Sequence, residues 1–386
     1  MIVCCMPERT RRVLFVQATE AGGYPPIVNA ATVMAAAGWQ VLVLNAPIKE
    51  HAIAFPRDCG VQLKHMPARP SHVMRKRDYA RYVLAAANLA ASFRPNVVYA
   101  SDPLGAAPGL VASTISRGSL VYHEHDSPNP GAPDSRLMQL RARAARAACA
   151  VVFPNEARAR IAQEQTGFRD EQLRIVWNVP RRTELPVSRR VANSELIVYY
   201  HGSITPERLP ESVLNAIGLC RHRVRLRIMG YEAPGAKGYV ARLIESGKRF
   251  GQQVVEYLGQ VPTRESVFAE AAQASLGLAL MPRATGDVNL THMTGASNKA
   301  FDYMAAGLAL LVTDLPDWQT VFVEPGYARS CDPSDSASIA AQLSWFAGNS
   351  EERRRMGSIG RTKIESGWNY ETLFRPVLAT LNESVA

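Results

Sequence analysis

The chain has 386 residues, 47% hydrophobic and 20% charged, which is enough to build two domains with their own cores and excludes a disordered polymer. No apolar run approaches the ~20 residues of a membrane span, and the opening Met1-Ile-Val-Cys-Cys-Met is too short for a signal-peptide core. Six cysteines are scattered, apart from Cys4-Cys5, without metal or disulfide spacing, so a reducing cytoplasmic location is the expectation.

Arg12–Gln17 reads as a buried strand running into the loop that carries Gly22-Gly23. A helical stretch ends at Gly38, and Gln40–Asn45 is a second strand. This is a βαβ unit, but Gly22-Gly23 is not a G-x-G-x-x-G fingerprint, which gives a dinucleotide dehydrogenase little support. Strands follow at Val61–His65, Asn96–Ala100, Ser119–Tyr122, Ala150–Pro154 and Gln172–Pro180. Helices between them include Val73–Phe93, which opens with Arg75, Lys76, Arg77 and Arg81. Ser101-Asp102-Pro103 and His123-Glu-His-Asp126 stand at carboxyl ends of strands, where open α/β sheets place ligands. His123 and His125 are expected to point one ring into the cleft and one away. Metal binding by these groups is possible, but no third or fourth ligand stands at suitable spacing.

The polar stretch Arg181–Ser194 reads as an interdomain linker. Residues 1–185 form one α/β domain and 186–368 another, each doubly wound, with a cleft between them; 369–386 is a C-terminal helix expected to pack back toward the first domain. Charge divides unevenly: 23 Lys+Arg against 14 Asp+Glu in residues 1–185, and 21 against 20 afterwards. A basic first half suits an anionic membrane surface or a phosphorylated lipid; solvated arginine is the plainer alternative. Nucleic acid is disfavoured, since no zinc finger, RRM signature or aromatic-interleaved basic stripe is present.

The second domain repeats the alternation from Leu196–His201 onward. Its most informative stretch runs from Thr294 to Thr313. Gly295-Ala296-Ser297-Asn298 offers small residues and capping side chains, so a helix is predicted to begin near Asn298. Lys299 and Asp302 share one face of its first turn. Gly307 closes the helix and Leu308–Val312 is a buried parallel strand. A helix N-terminus with a lysine is an anion site, and a carboxylate one turn in can accept hydrogen bonds from sugar hydroxyls, so the pair suggests a nucleotide. An ordinary amphipathic helix is the plain alternative.

Ser297-Asn-Lys-Ala-Phe-Asp-Tyr-Met-Ala-Ala-Gly307 resembles the signature of retaining glycosyltransferases of family 4. Further matching segments follow that family's order: the Gly22-Gly23 loop, Leu120–Asp126, Ile175–Pro180, His201–Arg208 and Glu352–Arg361. The resemblance implies a GT-B fold, two Rossmann-like domains facing a central cleft, and sugar transfer from a nucleotide-sugar co-substrate; the sequence has no acidic pair of the metal-binding D-x-D type, so no obligatory cofactor or metal is expected. It implies that Arg208 and Lys299 hold the donor diphosphate, helped by amides near Gly295 to Asn298. Asp302, where the family usually has glutamate, would bind ribose hydroxyls, and Val261 would contact the base. Gly22 and Gly23 would approach the donor, and His125 would lie near the reacting centre. Three departures stand out: Thr294 in place of the first glutamate of the acidic pair, Gly202-Ser203 in place of Gly-Arg, and Arg208 in place of lysine. They motivate two alternatives, a catalytically silent relative acting as a binding or scaffold protein and a nucleotide-sugar epimerase of the same fold. The expected acceptor is a surface polysaccharide or lipid-linked sugar at the inner membrane face, with peripheral attachment through the basic first domain.

Overall fold

The computed structural model describes residues 10–48, 54–57, 59–69, 74–131, 133–187, 195–233, 235–251, 253–260 and 263–385. The chain divides into two units, Met1–Val176 with Leu373–Ala386, and Trp177–Thr372.

In the first unit, apolar runs rich in Val and Leu form seven strands: β1 Arg12–Gln17, β2 Gln40–Asn45, β3 Val61–His65, β4 Val97–Ser101, β5 Ser119–His123, β6 Ala150–Phe153 and β7 Leu173–Ile175. They lie in the order β3-β2-β1-β4-β5-β6-β7, every pair parallel. The helices are α1 Pro25–Ala36, α2 Lys76–Phe93, α3 Asp102–Ser116, α4 Arg136–Ala147 and α5 Glu156–Thr166. Because helices cover such a sheet, its inner strands can be apolar throughout, and Val13 to Val16 are fully buried. Strand order reverses between β1 and β4, the switch point where a ligand crevice opens at the carboxyl ends.

The second unit carries β8 Leu196–Ile204, β9 Val224–Glu232, β10 Val255–Tyr257, β11 Leu276–Ala279, β12 Ala309–Thr313 and β13 Ala328–Cys331, all parallel, in the order β10-β9-β8-β11-β12-β13. Its helices are α6 Ser212–Leu219, α7 Tyr239–Gly247, α8 Arg264–Ala271, α9 Val288–Thr291, α10 Asn298–Ala305, α11 Pro316–Trp318, α12 Ser336–Gly348 and α13 Ser350–Ser366. The short α14 Tyr370–Leu373 crosses the division between units, and α15 Arg375–Val385 belongs to the first. There Arg174 Nη2 donates to Thr380 Oγ1 at 2.9 Å and Arg11 Nη1 to Asn382 Oδ1 at 2.7 Å.

Four details differ from the sequence reading. The division falls before Trp177 rather than at 185/186, because Trp177 packs against Phe301 and Trp368 and Asn178 bonds to the loop before α10. For the same reason β7 is confined to three residues instead of extending to Pro180. β8 continues to Ile204, past the expected end at His201. Gly202 there pairs with Gly230, and a Cβ on Gly230 would lie 1.9 Å from the Gly202 carbonyl oxygen, so only glycine lets these backbones meet. The single terminal helix is two, since Pro376 has no N–H to continue the ladder across Phe374. Val261 and part of the linker, residues 188–194, lie outside the described residues.

Candidate functional site

In the first unit the candidate residues gather at the switch point. After β1 the chain makes a short turn over Ala21–Gly23, held by the Ala21 N–H donating to Asn45 Oδ1 at 2.8 Å. Gly22 is buried and Gly23 is exposed; nothing lies within 4 Å of a Cβ built on Gly23, so the fold does not require glycine there. Tyr24 follows, its ring 6.1 Å from that of His125.

The two histidines do not point to opposite sides. Residues two apart line the same face of a strand, and although β5 ends at His123 and the chain bends at 125–126, the two rings still lie together, 3.8 Å apart. The Tyr99 hydroxyl and His123 Nδ1 are 2.7 Å apart. Asp102 fixes the bend: its Oδ1 accepts from the His125 N–H at 2.7 Å, and Arg158 Nη1 donates to the His125 carbonyl at 2.7 Å. Asp102 takes a φ of 59°, unusual for a residue with a Cβ, and burial pushes its carboxyl well above the usual range. Burial, then Arg158, lower His125 to about 3, so its imidazole is neutral. Neither ring nitrogen has a hydrogen-bond partner among the described residues. Such a ring can donate one hydrogen bond and accept another.

In the second unit Gly202, just before the end of β8 at Ile204, stands beside Lys299 of α10, with Ser203 following it. A Cβ on Gly202 would sit 3.4 Å from Lys299 Nζ, and Gly202 has a φ of 100°. The Lys299 ammonium lies 5.3 Å from the Tyr200 ring centroid. It is 7% exposed and forms no ion pair among the described residues. Burial, then the Arg208 charge, lower it to about 7. Arg208 Nη1 donates to Ser203 Oγ at 2.5 Å, so two cations converge where no carboxylate neutralises Lys299 directly.

The small-residue loop supplies fewer amides than expected. The Ala296 and Ser297 N–H groups both donate to the Met293 carbonyl at 2.9 Å and are spent within the turn. The available donors are the first N–H groups of α10, which lack intrahelical partners and which the Ser297 side chain does not cap. Asn178 anchors the loop from below, its Nδ2 donating to the Ala296 carbonyl at 2.7 Å. Gly295 has a φ of 74°, and the Thr294 hydroxyl donates to Asp317 Oδ2. α13 braces the other side of α10. A Cβ on Gly357 would lie 2.0 Å from the Gly307 carbonyl oxygen, and Arg361 Nη1 donates to the Ala305 carbonyl at 3.1 Å.

Asp302 does not present a free carboxylate. It is 0% exposed, and Arg264 Nη1 and Nη2 grip its two oxygens at 3.1 and 2.8 Å. Burial first, against the Arg264 charge, raises it to about 6. His201 Nε2 stands 3.4 Å from Asp302 Oδ2, and burial keeps that ring neutral. Arg264, Glu184 and His201 were missed as a group from the sequence. Their signal was only the motif His201-Gly202 and an arginine opening α8. Among the described residues no three His, Cys, Asp or Glu side chains group as a metal site. A cavity of about 360 Å³ runs along β13, α12 and α13, lined by Arg329, Gln342 and Trp345, and none of the candidate residues borders it.

Both units match known families. Residues 27–178 match a glycosyl transferase 4-like domain, and residues 211–379 match a glycosyl transferase-like domain. A search of curated protein sequences gave no significant match. Among solved structures, HepE of Anabaena in complex with UDP and glucose is 16% identical over 97% of this chain and 100% of that one, with a TM-score of 0.69. Sucrose-phosphate synthase of Thermosynechococcus elongatus is 13% identical over 97% and 98%, TM-score 0.72. A glycosyltransferase of Rickettsia africae is 9% identical over 98% and 99%, TM-score 0.71. Identities this low speak for a shared fold. With a glycosyltransferase domain matched in each unit, and two parallel-sheet α/β units of the GT-B kind, the chain belongs to the group 1 glycosyltransferases of the GT-B fold.

Proposed function

We propose that the protein is a retaining glycosyltransferase of the family 4 type, using a nucleotide-sugar donor held by the second unit. The observation that carries this reading is Lys299: a buried ammonium without a carboxylate partner, beside Arg208, at the uncapped start of α10. Those groups suit a diphosphate, and they stabilise the charge that grows on it as the sugar–phosphate bond breaks. In the reaction we infer, the acceptor oxygen bonds to the anomeric carbon on the face the diphosphate leaves. The acceptor's proton passes to the departing phosphate oxygen. UDP and glucose in the HepE complex, and UDP-glucose in another HepE structure, favour a uridine donor among the alternatives. His125 and the Gly22-Gly23 turn would serve the sugar and acceptor.

The acceptor in this reading is a growing surface glycan or a lipid-linked sugar on the cytoplasmic membrane face. No described helix is long and apolar enough to cross a membrane. Arg75, Lys76, Arg77 and Arg81 at the start of α2 are exposed, and would meet anionic headgroups.

Calorimetric titration of UDP, GDP, ADP and TDP tests the donor reading. One nucleotide should bind, with the affinity lost in Lys299→Ala and weakened in Asp302→Ala. If none of the four binds, the donor site is wrong and the scaffold alternative gains. Reversing charge at Arg75, Lys76 and Arg77 should weaken binding to phosphatidylglycerol vesicles, and unchanged binding removes the membrane contact.

A further inference from the structure

The strongest polar cluster of the second unit surrounds Arg264, which no motif of the sequence includes. Its Nη1 and Nη2 donate to Asp302, and its Nε donates to Glu184 Oε1 at 3.0 Å. Glu184 in turn lies 3.4 Å from Arg181 Nη2 and accepts from the Arg181 N–H at 2.8 Å. The Arg264 guanidinium lies over the Phe268 ring, 5.0 Å from its centroid. These contacts fix the plane of the guanidinium on three sides.

A guanidinium carries five N–H bonds, and three are spent on Asp302 and Glu184. The other two have no partner among the described residues. Asp302 has no exposed surface, whereas 14% of the Arg264 side chain is exposed. Arg264 is the first residue of α8, the helix that follows β10 and its turn at Gly259. It therefore stands at the carboxyl edge of the sheet, bonded to Asp302, which lies one helix turn along α10 from Lys299. A ligand whose diphosphate rests on Lys299 meets the arginine before the carboxylate.

We propose that Arg264 is the residue that reads the hydroxyl-bearing pentose of the bound nucleotide, as a hydrogen-bond donor, and that Asp302 and Glu184 are positioning residues that aim it. This inference rests on the nucleotide-sugar reading above. It inverts the polarity expected at this point of the site: the pentose oxygens accept from a cation instead of donating to a carboxylate. The paired carboxylates then serve to pre-organise the fork, so little ordering is lost when the ligand arrives.

The test compares the nucleoside diphosphate that the wild type binds with its 2′,3′-dideoxy counterpart, by calorimetry. A hydrogen bond to a charged group predicts that the wild type prefers the ribose form roughly tenfold or more. Arg264→Gln should bring that ratio to within about twofold. Asp302→Asn should keep most of it, because the Asn oxygen still accepts from Arg264. Arg264→Lys keeps the charge should the glutamine variant fail to fold, and it should also lose most of the preference, since an ammonium cannot form the fork. A wild-type ratio that survives in Arg264→Lys or Arg264→Gln overturns the proposal, as does a ratio abolished by Asp302→Asn alone. A wild type that binds no nucleoside diphosphate overturns the donor reading itself, a separate result.

Discussion

Asn178 holds the loop before α10 by two hydrogen bonds, its N–H donating to the Gly295 carbonyl at 2.6 Å and its side-chain amide to the Ala296 carbonyl at 2.7 Å. These bonds fix the loop that leads into α10, whose first N–H groups have no intrahelical partner. Asn178→Ala removes one of the two bonds and leaves the Ala296 carbonyl without that partner. We expect a loss of about 1–2 kcal/mol in urea unfolding, and nucleotide binding weaker by several-fold. Equal nucleotide affinity in the variant would mean that the loop is rigid without this tether.

Lys299 makes the site sensitive to pH. Its folded value of about 7 lies below its ordinary 10.5, because of burial and then Arg208. Between those two values the unfolded chain binds more protons than the native one, so this residue's contribution to stability rises with pH across that window. Ligand binding runs the other way. A diphosphate favours the ammonium, so above pH 7 binding must take up a proton, and affinity should fall by up to about tenfold per pH unit. Calorimetry in two buffers of different ionisation enthalpy at pH 8 should register close to one proton taken up. In Lys299→Met the uptake should vanish. A pH-independent affinity between 7 and 9 in the wild type would show that the diphosphate does not rest on this ammonium.

Much of this arrangement was legible in the chain, because strand and helix periods are local. β1, β2 and β3 have the bounds that their apolar runs suggest, and α10 begins at Asn298 where the capping residues point. What sequence could not supply is contact between distant positions. Arg264 and Asp302 are 38 residues apart, and nothing local marks the arginine as that aspartate's partner. The histidine pair is a different case: residues two apart share a face of a strand, so period-2 alternation itself puts His123 and His125 together rather than apart. β13 carries no such local signal, because Ala328-Arg-Ser-Cys331 is a short edge strand with little apolar pattern.

The tail segment Glu352–Arg361 has a mechanical meaning that can be measured. Gly357 lets α13 touch the end of α10, since a Cβ there would meet the Gly307 carbonyl oxygen at 2.0 Å. Backbone cannot swing aside as a flexible side chain can, so Gly357→Ala must push the helices apart. A cost of about 2–3 kcal/mol is expected in urea unfolding. Gly348→Ala, at the end of α12 with nothing within 4 Å of the added Cβ, is the control and should stay within about 0.5 kcal/mol. Equal effects would mean that the α10–α13 approach is not tight.

Gly23 offers the converse case. It has neither a left-handed backbone nor a neighbour within 4 Å of a Cβ, so the fold tolerates alanine there. If the turn approaches the substrate, Gly23→Ala should leave the melting temperature unchanged while lowering kcat/KM for transfer by tenfold or more. Unaltered transfer would remove the turn from the site and leave His125 as the first unit's principal candidate.

The bend that carries His125 follows directly on Glu124. Glu124 is fully buried, and its two oxygens accept from Arg141 Nη2 at 2.6 Å, Arg141 Nε at 2.7 Å and the Tyr122 hydroxyl at 2.7 Å. Removing one member of such a pair leaves the other charge buried and unpaired, at a cost of about 3–5 kcal/mol. Glu124→Ala should lose that much in denaturant unfolding. The double variant Glu124→Met with Arg141→Met, which removes both charges and refills the space, should recover most of it. Activity separates structure from function. If the ion pair only supports the fold, the double variant regains transfer along with stability. If it also steadies the bend that holds His125, stability returns while kcat/KM stays low, because a methionine pair lacks the hydrogen bonds by which Arg141 and Tyr122 hold Glu124.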